Sequence, residues 1–150
     1  MSSLDDAPRD QRWWPARFVQ ISLTVTALLM FGQAVLAGLF MGGTHSAFAW
    51  HREMATVTGI ALMIAIVAAV LAARLGCAPR GLIGATVGLL ALMSLQAFAG
   101  FRSLTSLHVP LGVIVILVAV SLAVWTWRLR PPSTRSVASH ESVEPVKSGW

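Results

Sequence analysis

The chain has no tyrosine, one cysteine and one lysine among 150 residues, and charged side chains make up only 11% of it. Each shortage excludes something. A single cysteine, Cys77, allows no disulfide within the chain, so this is not a disulfide scaffold. A soluble domain carries about 25% charged residues, and a disordered chain combines high charge with few apolar side chains. Neither description fits 56% apolar residues and a mean hydropathy of +0.73. The pI of 11.4 is basic, but cations this sparse do not build the basic face of a nucleic-acid-binding domain. They pose a question of topology instead.

What is present in abundance is long apolar sequence. Four runs stand out: Phe18–Met41, Met54–Leu75, Leu82–Phe101 and Leu107–Trp127. Each is long enough, as helix, to cross a hydrocarbon core of roughly 30 Å. None alternates with a period of two, and lipid requires the backbone to satisfy its own hydrogen bonds, so helices are expected. The links Gly42–Glu53, Gly76–Gly81 and Arg102–Ser106 are short and force antiparallel neighbours. The expected fold is an all-α membrane protein, an up-down bundle of four transmembrane helices over residues 18–130. Residues 1–17 and 131–150 are polar or rich in Pro and Ser, and read as flexible ends.

The cations orient the bundle. Arg9, Arg12, Arg17, Arg74, Arg80, Arg128, Arg130, Arg135 and Lys147 fall on one side, and Arg52 and Arg102 on the other. The positive-inside rule then places both termini in the cytoplasm. Trp13, Trp14, Trp125 and Trp127 lie at the same boundary, where indoles anchor helices. Ala47-Phe48-Ala49 has the spacing of a signal-peptidase site. The apolar run before it exceeds the 7–15 residues, roughly, of a signal core, so the first span is expected to be retained.

The two halves echo each other. Gln33-Ala-Val-Leu-Ala37-Gly38 ends the first span and Gln96-Ala-Phe-Ala99-Gly100 ends the third. Each is followed by a loop and then a histidine opening the next helix, His51 or His108. This reads as a parallel two-helix repeat about an axis along the membrane normal. The two histidines then sit at similar depth on diagonal helices and face each other across the bundle. Ala55 and Gly112 lie one turn deeper, on the same helix faces, and leave space beside the rings.

Two opposed neutral imidazoles suit the axial positions of a haem iron. Arg52 and Arg102 are placed to meet its propionates, and Pro110 is tolerable in a first helical turn. Gln33 and Gln96 either bond a histidine or cofactor, or glue helices together. Gly38-x-x-x-Gly42 and Gly84-x-x-x-Gly88 are expected to pack helices closely. Two other readings stand beside the haem. One is a bundle without cofactor, an accessory or structural subunit with apolar side chains filling the space between the histidines. The other is a copper or zinc site built from His45, His51 and His108.

The segments Gln33…Ala37-Gly38 with Trp50-His51-Arg52, and Gln96…Ala99-Gly100 with Leu107-His108, resemble one half of haem A synthase and the related small four-span bacterial membrane proteins. Haem A synthase has two four-helix halves, each with a histidine on its second and fourth spans, and its C-terminal half holds haem b. The resemblance therefore implies that His51 and His108 ligate haem b, in a bacterial cytoplasmic membrane. A quinone or a redox protein would be the partner, and a homodimer would rebuild the eight-span arrangement. The family's catalytic half carries a glutamate three residues before the histidine of its second span. Here Phe48 holds that place and Glu53 lies on the other side of His51. The resemblance therefore does not extend to the methyl oxidation that the family performs.

Overall fold

A computed structural model describes residues 13–129. The chain ends, with Arg9, Arg12, Arg130, Arg135, His140 and Lys147, lie outside the described residues. Four helices account for nearly all of what is described: α1 Trp13–Met41, α2 Ser46–Arg74, α3 Gly81–Phe101 and α4 Thr105–Arg128. All four are long and apolar enough to span a membrane. At 1.5 Å per residue they are about 31 to 44 Å long, against a hydrocarbon core of roughly 30 Å.

Two helices start earlier than their apolar runs. α1 begins at Trp13, because Pro15 falls in the first turn, where its missing N–H has no partner to lose. α2 begins at Ser46 rather than Met54, so the mixed segment up to Glu53 is helical. His51 accordingly lies in the second turn of α2 and does not open it. Ala47-Phe48-Ala49 forms part of the first turns, with the Phe48 ring 5.1 Å from that of Phe40. Pro110 also lies deeper than expected, in the second turn of α4. There it removes the N–H that would bond the carbonyl of Ser106, a residue at the exposed end of the helix.

Three helices stop in the same way. Thr44 N–H bonds Leu39 C=O while Gly43 N–H bonds Phe40 C=O; Cys77 and Gly76 do the same to Ala72 and Ala73, and Leu104 and Ser103 to Ala99 and Gly100. These are Schellman closures, which require a left-handed residue just past the helix. Gly43 (φ +98°) and Gly76 (φ +70°) supply it without strain, and Ser103 (φ +57°) supplies it at some cost.

The helices stand in a ring, α1–α2–α3–α4, each packed on its two neighbours, and among the described residues no backbone comes close across either diagonal. Hydroxyls inside are satisfied along their own helix. Thr26, Thr58 and Thr86 bond the carbonyls of Ser22, Met54 and Leu82, four residues back. α1 and α4 are also joined laterally. Gln20 Nε2 donates to Thr126 C=O at 3.0 Å, Trp127 Nε1 donates to Thr24 Oγ1 at 3.0 Å, and Arg17 lies over the Trp127 ring.

The core is lopsided. Leu23, Leu62, Leu82, Leu89 and Ala119, with a run of alanines on α2, fill the half that holds the start of α1, the end of α4 and the α2–α3 link. In the other half the buried apolar side chains are few among the described residues: Met30, Ala47 and Ala99, with Val115 at the boundary. The expected glycine pairs do not close it. A Cβ on Gly38, Gly84 or Gly88 would meet nothing within 4 Å, and all three are exposed. The glycines that do allow close approach are Gly59 against Met93, Gly112 against Gln96, and above all Gly100 against His108.

Candidate functional site

The loosely packed half contains a cavity of about 170 Å³, open to the outside along part of its surface. Its lining follows helical spacing. Met30, Gln33, Ala34, Ala37 and Met41 form one stripe of α1, Met93 and Gln96 one of α3, and His108, Gly112 and Val115 one of α4. α2 contributes His51.

Both imidazoles are held by the same kind of bond. His51 Nδ1 lies 3.1 Å from the carbonyl oxygen of Gln33, and His108 Nδ1 lies 2.8 Å from that of Gln96. A carbonyl only accepts, so each Nδ1 must carry the hydrogen. The tautomer follows: in both neutral rings the lone pair is on Nε2. This is the arrangement by which proteins orient a metal-binding histidine, with the far N–H tied to a carbonyl. The chain separations differ, 18 residues in the first hairpin and 12 in the second.

The rings meet across the α2–α4 diagonal. Their centroids are 6.3 Å apart and their planes are inclined by 74°. Two metal–nitrogen bonds of about 2 Å, plus the half-width of each ring, come to roughly 6 Å. The centroid separation is thus of the size found for two imidazoles on one metal ion. Each ring is half-buried.

The two glutamine side chains behave differently. Gln96 Nε2 lies 3.2 Å from His108 Nε2 and must be its donor, since that nitrogen holds the lone pair. Gln33 lines the cavity with both amide atoms buried and without any hydrogen-bond partner. An unsatisfied buried amide is destabilising by about 1–3 kcal/mol per group, so Gln33 stands as a donor and acceptor without an assigned ligand.

Several expected site residues are elsewhere. Ala55 is exposed and lies outside the cavity lining, because the space beside His51 is bordered by α1 and not by the next turn of α2. Arg52 and Arg102 are exposed at the same end of the bundle but do not line the cavity. His45 caps α2 and is exposed, and six residues of helix turn it well away from His51. Among the described residues no three His, Cys, Asp or Glu side chains come together as a metal group, so the His45, His51 and His108 set is not assembled. The two histidines both line the cavity, and the Gln96 amide lies against His108.

Three contributors escape sequence reading. Met30 and Met93 read as packing, although Met30 shares a helical stripe with Gln33, Ala34 and Ala37, which is a usable signal. Gly100 carries no such signal. A Cβ there would lie 2.7 Å from His108 Cε1 and Nδ1, so the ring can sit against Gln96 only because residue 100 has no side chain.

No family model, curated protein or solved structure matches this chain.

Proposed function

We propose that this is a small integral membrane haem b protein in which His51 and His108 are the two axial ligands, acting in electron transfer or haem handling. The observation that carries the reading is the pair of matched Nδ1–H···O=C bonds. They set both neutral imidazoles to the same tautomer, with Nε2 as the nitrogen able to ligate on each ring, and the two rings line one cavity with their centroids 6.3 Å apart. The resemblance of the Gln33–His51 and Gln96–His108 segments to half of haem A synthase supports it, as does the parallel two-helix repeat that those segments suggest. Held by these two residues, a haem would supply a one-electron iron couple.

The donor set fits the group better than the enclosed volume does. A cavity of about 170 Å³ is small beside ordinary ligand pockets, which start at roughly 300 Å³. Its borders are the yielding kind: the thioethers of Met30 and Met93, the Gln96 amide, and the small residues Ala34, Ala37 and Gly112. Arg52 and Arg102 supply positive charge at the same end, for propionates or for a docking partner. In this reading the chain sits in a bacterial cytoplasmic membrane with both termini inside, as the distribution of cations suggests. The haem end then faces the periplasm, and a quinol or a redox protein is the partner. A homodimer would provide the eight helices of the larger family.

A second reading uses the same rings. Met30, Met41 and Met93 place soft thioethers around two imidazoles, a donor set that suits a bare copper(I) ion. One experiment separates the readings. Full-length protein purified in mild detergent from haem-replete cells is expected to show a sharp b-type band in a reduced-minus-oxidised spectrum. His51→Ala and His108→Ala should each abolish or grossly alter it. A colourless preparation with stoichiometric copper would replace haem by copper. A colourless, metal-free one would leave an accessory bundle without cofactor.

A further inference from the structure

The two ligand candidates are alike in backbone support and unlike in what touches Nε2. On His108 that nitrogen accepts a hydrogen bond from Gln96 Nε2 at 3.2 Å; on His51 no protein group bonds it, and the matching Gln33 amide has no partner at all. Gly100 adds to the asymmetry. It lets the His108 ring press against α3, where both the carbonyl and the side-chain amide of Gln96 reach it, whereas a Cβ on the corresponding Gly38 would meet nothing. Gln96 thus grips one imidazole at both nitrogens.

We propose that Gln96 is a positioning residue that caps the ligating nitrogen of His108 in the empty protein, so that an incoming haem binds His51 first and His108 only after the Gln96 amide turns away. The inference rests on the haem reading of the site. A lone pair engaged by an N–H donor is not available to a metal, whereas the Nε2 lone pair of His51 needs no bond broken. The freed amide has room to turn, because it borders the cavity beside Gly112, where no side chain intervenes.

The test mixes full-length haem-free protein in detergent with hemin and follows the Soret band by stopped flow. Wild-type protein is expected to take up hemin in two phases, the second ending in the bis-histidine spectrum. Gln96→Met keeps the side-chain length and loses the donor. It should quicken the second phase by about three- to tenfold, the worth of one neutral hydrogen bond. Ser94→Ala, on the same helix but exposed and outside the cavity lining, should leave both rates unchanged. His108→Ala should remove the second phase only. Histidine side-chain 15N NMR of the haem-free protein gives a readout that a packing role would not move: the His108 Nε2 resonance should shift in Gln96→Met and that of His51 should not. If Gln96→Met misfolds by circular dichroism, Gln96→Leu serves for both measurements. Uptake in a single phase by the wild type, an unchanged second phase in Gln96→Met, or an unmoved His108 resonance overturns the cap and leaves the haem reading standing. Absence of uptake by the wild type overturns the haem reading, and the order of ligation falls with it.

Discussion

The two ends of this bundle are built on opposite principles. Around Leu23, Leu62, Leu82 and Leu89 the helices interdigitate, and the buried hydroxyls of Thr26, Thr58, Thr86 and Thr126 are each bonded to a carbonyl. Around His51 and His108 the same four helices enclose a cavity, and both atoms of the Gln33 amide are buried without a partner, whereas at the packed end only Gln20 Oε1 is, its Nε2 being bonded to Thr126. Chain length does not explain the difference, since every helix runs through both halves. The side chains do. Leucine and alanine meet on the inner faces at one end, while methionine, glutamine and histidine meet there at the other. One end holds the helices together, and the other is left free of that task and can be specialised for binding.

That contrast can be broken experimentally. Leu62→Ala removes a side chain with no exposed surface. It should lower stability by about 2–5 kcal/mol in a detergent unfolding titration while leaving any bound cofactor's spectrum unaltered. Gly100→Ala acts at the other end. Because its new Cβ would meet the His108 ring at 2.7 Å, cofactor affinity should fall about 10- to 100-fold, as for lost ligand support elsewhere, with a smaller change in melting. Gln33→Leu sharpens the comparison from the opposite direction. Exchanging the orphaned amide for an apolar side chain should stabilise the empty protein by about 1–3 kcal/mol. If the melting temperature drops instead, the amide has a partner and the histidine end is not under-satisfied. The smallest effect belongs to Ser103→Gly, which relieves a left-handed residue and should add about 1 kcal/mol, read as a small rise in melting temperature.

Much of the architecture was legible because lipid leaves a helix few alternatives. Four apolar runs give four helices, and short links give antiparallel neighbours. The helix starts were less legible. Trp13–Arg17 and Ser46–Glu53 are helical although mixed in polarity, since backbone hydrogen bonds do not need apolar side chains once outside the hydrocarbon. The inward faces were the hardest to read. When every face of a helix is apolar, no stripe marks the inside, so Gly84 and Gly88 looked like a packing motif and turn outward. Polar residues restored the signal. His51, His108, Gln33 and Gln96 stand out against an apolar background, and the structure does bring these four to one cavity. Ala55, Arg52 and Arg102 were inferred only from their neighbours in sequence, and all three are exposed and outside its lining. The grip of Gly100 on His108 depends on the distance between two helices, which no local pattern encodes.

The unequal hairpins have a geometric consequence. Beyond the level of its glutamine, α1 continues from Gln33 to Met41, whereas α3 continues only from Gln96 to Phe101. At 1.5 Å per residue the first hairpin overtops the second by about 4 Å. The rim of the bundle at this end is therefore stepped, high on the α1–α2 side and low on the α3–α4 side.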